Sequence, residues 1–192
     1  MKEKWDIYDK YMKKTGKTCI RGEYELKENE YHLVVHIWII TKQGKILLTQ
    51  RSERKQIDPL KWECTGGSVL KDEEPIDAAL RETAEEIGIK LKKEELKLIK
   101  KERRDKNFQD FLFAYYVIKD EGIINKIKFT DGEVKDKKWV SQKEFEEMYN
   151  KGEALSNLKY ILEENIDTKY KKWYKNNEYW MTYVGMNLLY TL

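Results

Sequence analysis

Three carboxylates in this chain stand at a spacing that can do metal chemistry: Glu82, Glu85 and Glu86, at positions i, i+3 and i+4. On a helix, at 100° per residue, their side chains share an arc of about 100° on one face. Hard divalent cations prefer carboxylate oxygens, keep several waters and bridge readily to phosphate oxygens. Without a cation the three would repel one another by a few tenths of a kcal/mol per pair, roughly, on an exposed helix. A solvated acidic face has the same spacing, and in a chain that is 38% charged the triplet alone does not separate the two readings.

The elements around it must position those carboxylates. A helix is expected from about Pro75, where the first turn tolerates a missing N–H, to Ile87, with Gly88 as its C-terminal stop. Ile76, Leu80, Thr83 and Ile87 form one stripe that should face a sheet. Ala78 and Ala79 fall on the carboxylate face, where they should keep it low and leave a ligand room to approach. Upstream, Trp5–Asp9 and Gly16–Ile20 read as a hairpin, and Tyr31–Ile40 and Lys45–Gln50 as a second one across Thr41–Gly44. Asp58-Pro59 and Gly66-Gly67 punctuate a loop-rich stretch. Downstream, Phe108–Ile118 and Lys137–Val140 read as strands, and Ser141 with Glu144 forms a capping box for a helix through Tyr149. The order of elements gives a mixed α/β domain.

Composition bounds the rest. With 192 residues, 40% apolar and 12% aromatic, the chain can bury one real core. A net charge of +3 from 38 basic and 35 acidic side chains marks neither a nucleic-acid nor a membrane binder. Cys19 and Cys64 lie far apart in no metal-ligand spacing, which fits a reduced cytoplasm. The N-terminus has no signal-peptide pattern and no apolar run reaches membrane-spanning length. Residues 155–192 carry Trp173, Tyr174, Tyr179, Trp180, Tyr183 and Tyr190, more aromatic surface than a lone tail holds in water, so they should pack on something.

A longer pattern surrounds the glutamates: Gly67, five residues, Glu73, seven residues, then Arg81-Glu82-Thr83-Ala84-Glu85-Glu86-Ile87-Gly88-Ile89. It resembles the Nudix box, with all seven fixed positions matched. The resemblance implies a Nudix fold, a mixed β-sheet sandwiched between α-helices, with an N-terminal β-hairpin and a helical C-terminal extension. Residues 1–192 would form a single Nudix domain, its core at about 28–150, the hairpin at 1–27 and the extension at 151–192. It also implies roles: Glu82, Glu85 and Glu86 would bind metal, the carbonyl of Gly67 would add a ligand, and Glu73 and Arg81 would form a structural ion pair, with Gly88 completing the box. Family members use metal to polarise a diphosphate and to lower the pKa of an attacking water. The expected cofactor is Mg²⁺, with Mn²⁺ as a substitute. Glu82 or Glu86 could take the water's proton, as could Glu102, Asp105, Asp110, Asp131 or Glu133 from later segments.

The stretch from Tyr31 to Trp38, with Arg51 and Lys55, is similar to the isopentenyl-diphosphate isomerase branch of the same superfamily. That similarity implies a metal role for His32 and diphosphate contacts for Arg21, Arg51 and Lys55. The isomerase's active-site cysteine and further histidine are replaced here by Gly66 and Ser68, and the box is complete, so hydrolysis is the expected activity. His32 and His36 share one face of a strand and read otherwise as packed structural residues, and Cys64 as a small buried loop residue. The alternatives are an isomerase-like enzyme and a non-catalytic nucleotide-binding module. The expected partner is a small diphosphate substrate, nucleoside-linked or related, with no membrane and no nucleic acid. A homodimer is the expected assembly, and the aromatic C-terminal segment is open to use as its interface or as a pocket cover.

Overall fold

The computed structural model describes residues 2–105, 108–129 and 132–164. Its contacts divide the chain into two units, 1–155 and 156–192. The aromatic segment beyond Glu164 and the candidate base Asp131 lie outside the described residues. Among the described residues no helix is long and apolar enough to cross a membrane.

In the first unit, β1 (Lys4–Tyr8) and β2 (Lys14–Ile20) form the expected antiparallel hairpin, with Trp5 opposite Cys19. Among the described residues the main sheet has seven strands: β3 (His32–Ile40), β4 (Ile46–Arg51), β5 (Trp62–Glu63), β6 (Thr65–Ser68), β7 (Lys97–Arg104), β8 (Asp110–Ile118) and β9 (Val134–Val140). β3 runs parallel to β8 along its full length, His32 opposite Asp110 through Ile40 opposite Ile118. The other pairings are antiparallel, so the sheet is mixed.

Two expectations need correcting. β3 and β4 are sequence neighbours across a tight turn, yet they pair only at Ile40 and Ile46. β4 then turns away to pair with β9 and β5, and β6 takes its place against Val34–Ile37 of β3. The carboxylate helix, α1 (Pro75–Ile87), has the expected bounds, but Ala78 and Ala79 are fully buried while Ile76 and Leu80 are only partly so. The alanines let α1 sit close on the sheet. They form no open floor for a ligand.

The period of two along β3 separates the layers. Leu33, Val35, Ile37 and Ile39 join Ala78, Ala79 and Ile87 of α1 in the main core. Trp38 points to the other face and meets Phe145 of α2 (Gln142–Asn150) edge-on at 5.8 Å. Ser141 caps α2 with the expected box: its hydroxyl accepts the Glu144 N–H and the Glu144 carboxylate accepts the Ser141 N–H. Gly88 closes α1 at φ 70°, its N–H donating to Ala84 O, with Ile89 N–H reaching back to Thr83 O. β7 was not expected, because Lys97-Leu98-Ile99-Lys100-Lys101-Glu102-Arg103-Arg104 is an edge strand whose charges suit solvent and hide the alternation. In the second unit the described residues hold a 3₁₀ turn, Ser156–Leu158, and α3 (Tyr160–Glu163).

Two predictions follow from this packing. Ser141→Ala should lower stability by about 1 kcal/mol in urea unfolding, the usual worth of such a cap. Burial, and next the Arg104 charge, depress His32 to a pKa of about 4 and His36 to about 3. Both are neutral in the fold, and the unfolded chain binds more protons below about pH 6.5. Stability should therefore be full above about pH 6.5 and fall steadily as pH drops through those native values. Urea titrations at pH 7 and pH 5 should show that loss, and His32→Gln with His36→Gln should shrink it.

Candidate active site

Gly66 and Gly67 lie on β6, opposite His36 and Val35 of β3. α1 packs over this strand. A Cβ on Gly67 would stand 2.3 Å from the Glu82 carboxyl carbon, so the missing side chain is the space that the Glu82 carboxylate fills. Glu86 reaches the same strand, its Oε2 accepting the Gly66 N–H at 3.3 Å. Glu85 projects outward, its side chain 59% exposed against 13% for Glu82.

Arg81 ties the group together. Its Nε and Nη2 donate to the two oxygens of Glu73, both at 2.9 Å, and Nη2 also reaches Ser68 O at 2.9 Å. Its Nη1 donates to Glu82 Oε1 at 2.8 Å and to Glu85 Oε2 at 3.1 Å. Glu73 in turn accepts the Leu70 N–H, fixing the loop before α1. The Glu73–Arg81 pair is present as the resemblance implies, and the arginine also grips two of the three box carboxylates.

The carboxylates are electrostatically loaded. Burial raises the pKa of Glu86 well above the usual carboxylate range, and the charges of Glu63 and Glu82 push it further. Burial also raises Glu82, against the opposing pull of Arg81. Glu63, a residue the sequence reading passed over, is raised by burial despite a bidentate pair with Arg51 Nη1, 3.0 Å to each oxygen. Its only sequence signal is its place in the loop before the box, where any charge would be read as solvated.

The basic residues flank this cluster with their hydrogen bonds partly spent. Arg51 also donates from Nε and Nη2 to the carbonyls of Ile57 and Asp58, clamping the loop between β4 and β5. Lys55 is ion-paired with Glu133 and close enough to Glu63 and Glu86 to oppose their raised pKa. Arg21 pairs with Glu3, whose charge is felt at Glu82. Of the other candidate bases, Glu102 pairs with Lys100, Asp105 with Tyr31 and Arg103, and Asp110 with Arg104 through both oxygens. Cys64 is fully enclosed and its thiol is pushed well up by burial, so it is held protonated. An open cavity of about 570 Å³ lined by Glu28, Asn29, Tyr31, Arg103, Asp105 and Gln109 contains none of the box carboxylates.

The donor set is hard oxygen throughout, and the Glu82 carboxylate seated over Gly67 leaves that glycine's backbone beside it. These residues fit a divalent cation by chemistry. Among the described residues no three acidic, histidine or cysteine groups are already drawn together as a cage. The reason is visible: Arg81 holds Glu82 and Glu85 while Glu86 turns to Gly66.

The NUDIX domain family model matches residues 30–161. An uncharacterized Nudix hydrolase of Listeria monocytogenes is 32% identical over 154 residues, covering 80% of this chain and 88% of the relative. The DR0079 protein of Deinococcus radiodurans has the same fold, with a TM-score of 0.67 at 20% identity over 79% of this chain and 91% of that one. So does the NUDIX domain of Shewanella oneidensis NrtR, solved with ADP-ribose, with a TM-score of 0.57 at 19% identity over 76% and 94%. A family model matched over most of the chain, with a complete box and a relative aligned over most of its own length, places this chain in the Nudix hydrolase family, enzymes that cleave pyrophosphate bonds in nucleoside diphosphate derivatives and generally use divalent metal ions.

Proposed function

We propose that this protein is a magnesium-dependent diphosphatase of a small nucleoside-diphosphate-linked substrate, acting at Gly67, Glu82, Glu85 and Glu86. The observation that carries the reading is the seating of the Glu82 and Glu86 carboxylates against the Gly66-Gly67 backbone, where burial and neighbouring acids disfavour their charge. Glu82, Glu85, Glu86 and the Gly67 carbonyl would hold the cation. A cation there supplies charge that polarises the diphosphate and acidifies water.

The chain's own residues do the remainder. Arg81 orients Glu82 and Glu85 and keeps its guanidinium fixed by Glu73 and Ser68. Either Glu82 or Glu86 takes the one proton released as water attacks a phosphorus and the other phosphate leaves with the electrons of the broken P–O bond. Arg51 holds Glu63 and the Ile57–Asp58 turn in place, and Lys55 and Arg21 offer positive charge to the substrate's phosphates from either flank. The ADP-ribose seated on the Shewanella domain supports a nucleotide-linked substrate. Two buried, free cysteines suit a cytoplasmic setting.

Phosphate and nucleotide release from a panel of diphosphate compounds with Mg²⁺ tests the reading directly. Glu86→Gln should cut turnover by about 10²-fold or more, the scale of a lost proton acceptor or charged ligand. Because the Glu86 charge is disfavoured by its surroundings, the same variant should unfold at a higher temperature than wild type in metal-free buffer. Turnover retained in that variant would sink the assignment. Gly67→Ala should cut turnover at least about tenfold by displacing Glu82, a side-chain shift that leaves the helix intact, with far-ultraviolet circular dichroism unchanged.

A further inference from the structure

The loop between β6 and α1 carries Glu73, and its backbone N–H groups can be followed to their acceptors. Val69 N–H donates to Leu33 O of β3 at 2.9 Å, Leu70 N–H to Glu73 Oε2 at 2.9 Å, and Glu73 N–H to Leu70 O at 3.1 Å. The two between them leave the loop for the N-terminal hairpin. Lys71 N–H donates to Lys4 O at 2.7 Å, and Asp72 N–H to Asp6 Oδ2 at 2.9 Å.

Asp6 is placed to hold that contact firmly. It is 8% exposed, and the oxygen that accepts Asp72 N–H also accepts Lys14 Nζ of β2 at 2.7 Å, so the buried charge is met within the hairpin. The same ammonium lies 3.6 Å from the Asp72 carboxylate. The backbone being held needs the support, because Asp72 sits at φ 60°, in the left-handed region that residues other than glycine seldom adopt. The hairpin is itself anchored to the start of β3, where Tyr8 and Tyr31 exchange N–H···O bonds of 2.8 and 2.9 Å.

The next residue along the loop is Glu73, whose two oxygens fix the Arg81 guanidinium that grips Glu82 and Glu85. A rotation at Asp72 would carry Glu73 with it, since the two share a planar peptide unit. The hairpin precedes residue 30, where the family match begins. We propose that Asp6 is a positioning residue for the reaction, setting the Lys71-Asp72 turn so that Glu73 and Arg81 present Glu82 and Glu85 to the cation. This rests on the diphosphatase reading, because what Asp6 positions is the cation site of that reading.

Mn²⁺ binding without substrate, followed by the electron paramagnetic resonance of the free ion, tests the proposal on the full chain, at a temperature where circular dichroism shows each variant folded. Asp6→Ala should bind Mn²⁺ about tenfold more weakly than wild type, the scale of a lost residue behind a metal ligand. Asp6→Asn keeps an oxygen for both donors and should stay within about threefold. Thr15→Val removes a hydroxyl that donates to Ile7 O inside the hairpin and touches nothing in the loop. It should lower the unfolding temperature and leave Mn²⁺ affinity within about twofold. Coupling is reciprocal, so Mg²⁺ should slow hydrogen exchange at the Lys71 and Asp72 amides of wild type at least about fivefold by NMR, a readout that needs no variant to fold. Unchanged affinity in Asp6→Ala, an equal loss in Thr15→Val, or exchange indifferent to Mg²⁺ would each overturn the proposal while leaving the diphosphatase reading in place. Wild type that binds no Mn²⁺ would overturn both.

Discussion

The guanidinium of Arg81 is the interaction on which the site depends. It reaches from α1 to the loop before it through Glu73, to β6 through the Ser68 carbonyl, and along its own helix to Glu82 and Glu85. Burial works against its charge, and Glu73 and Glu82 outweigh that cost and hold it protonated. A lysine could not span these partners, because the spacing uses the planar fork. One side chain thus fixes the pitch of the helix against the strand and the direction of two of its carboxylates.

What it holds is strained electrostatically. Glu63, Glu82 and Glu86 all sit where burial disfavours charge, and the charges of Glu63 and Glu82 both raise the pKa of Glu86. A fold selected for stability alone would not gather them. Arg51 and Lys55 offset part of the repulsion from the β4–β5 side, and Glu3, paired with Arg21, adds to it from the hairpin side. Such a cluster is what a cationic partner with oxygen-preferring chemistry relieves, and the local instability is the counterpart of function.

β3 makes the arrangement geometrically possible. Its odd residues enter the core with α1, and its even ones, His32 and His36 among them, face the other way. β6 replaces β4 as its partner at the glycines, so the backbone of Gly66 and Gly67 is presented to the helix at the sheet's interior. The close approach depends on small residues from both sides, Ala78 and Ala79 from α1 and Gly67 from β6.

The chain by itself determined the helix from Pro75 to Ile87, its Gly88 stop, the Ser141 cap and the seven spaced positions of the box, because each depends on local chemistry or on helical periodicity within a few turns. The pairing of Arg81 with Glu73 was implied only by the resemblance to the Nudix box, and the fold brings the two together across one loop and one turn. Tertiary structure alone decided the rest. That β4 leaves β3 for β9, that the alanines are buried, that Glu63 stands beside Glu86, and that Asp6 reaches the loop before α1 all depend on strands paired across tens of residues. Such pairings are set by the summed fit of the whole sheet, and no local spacing encodes them.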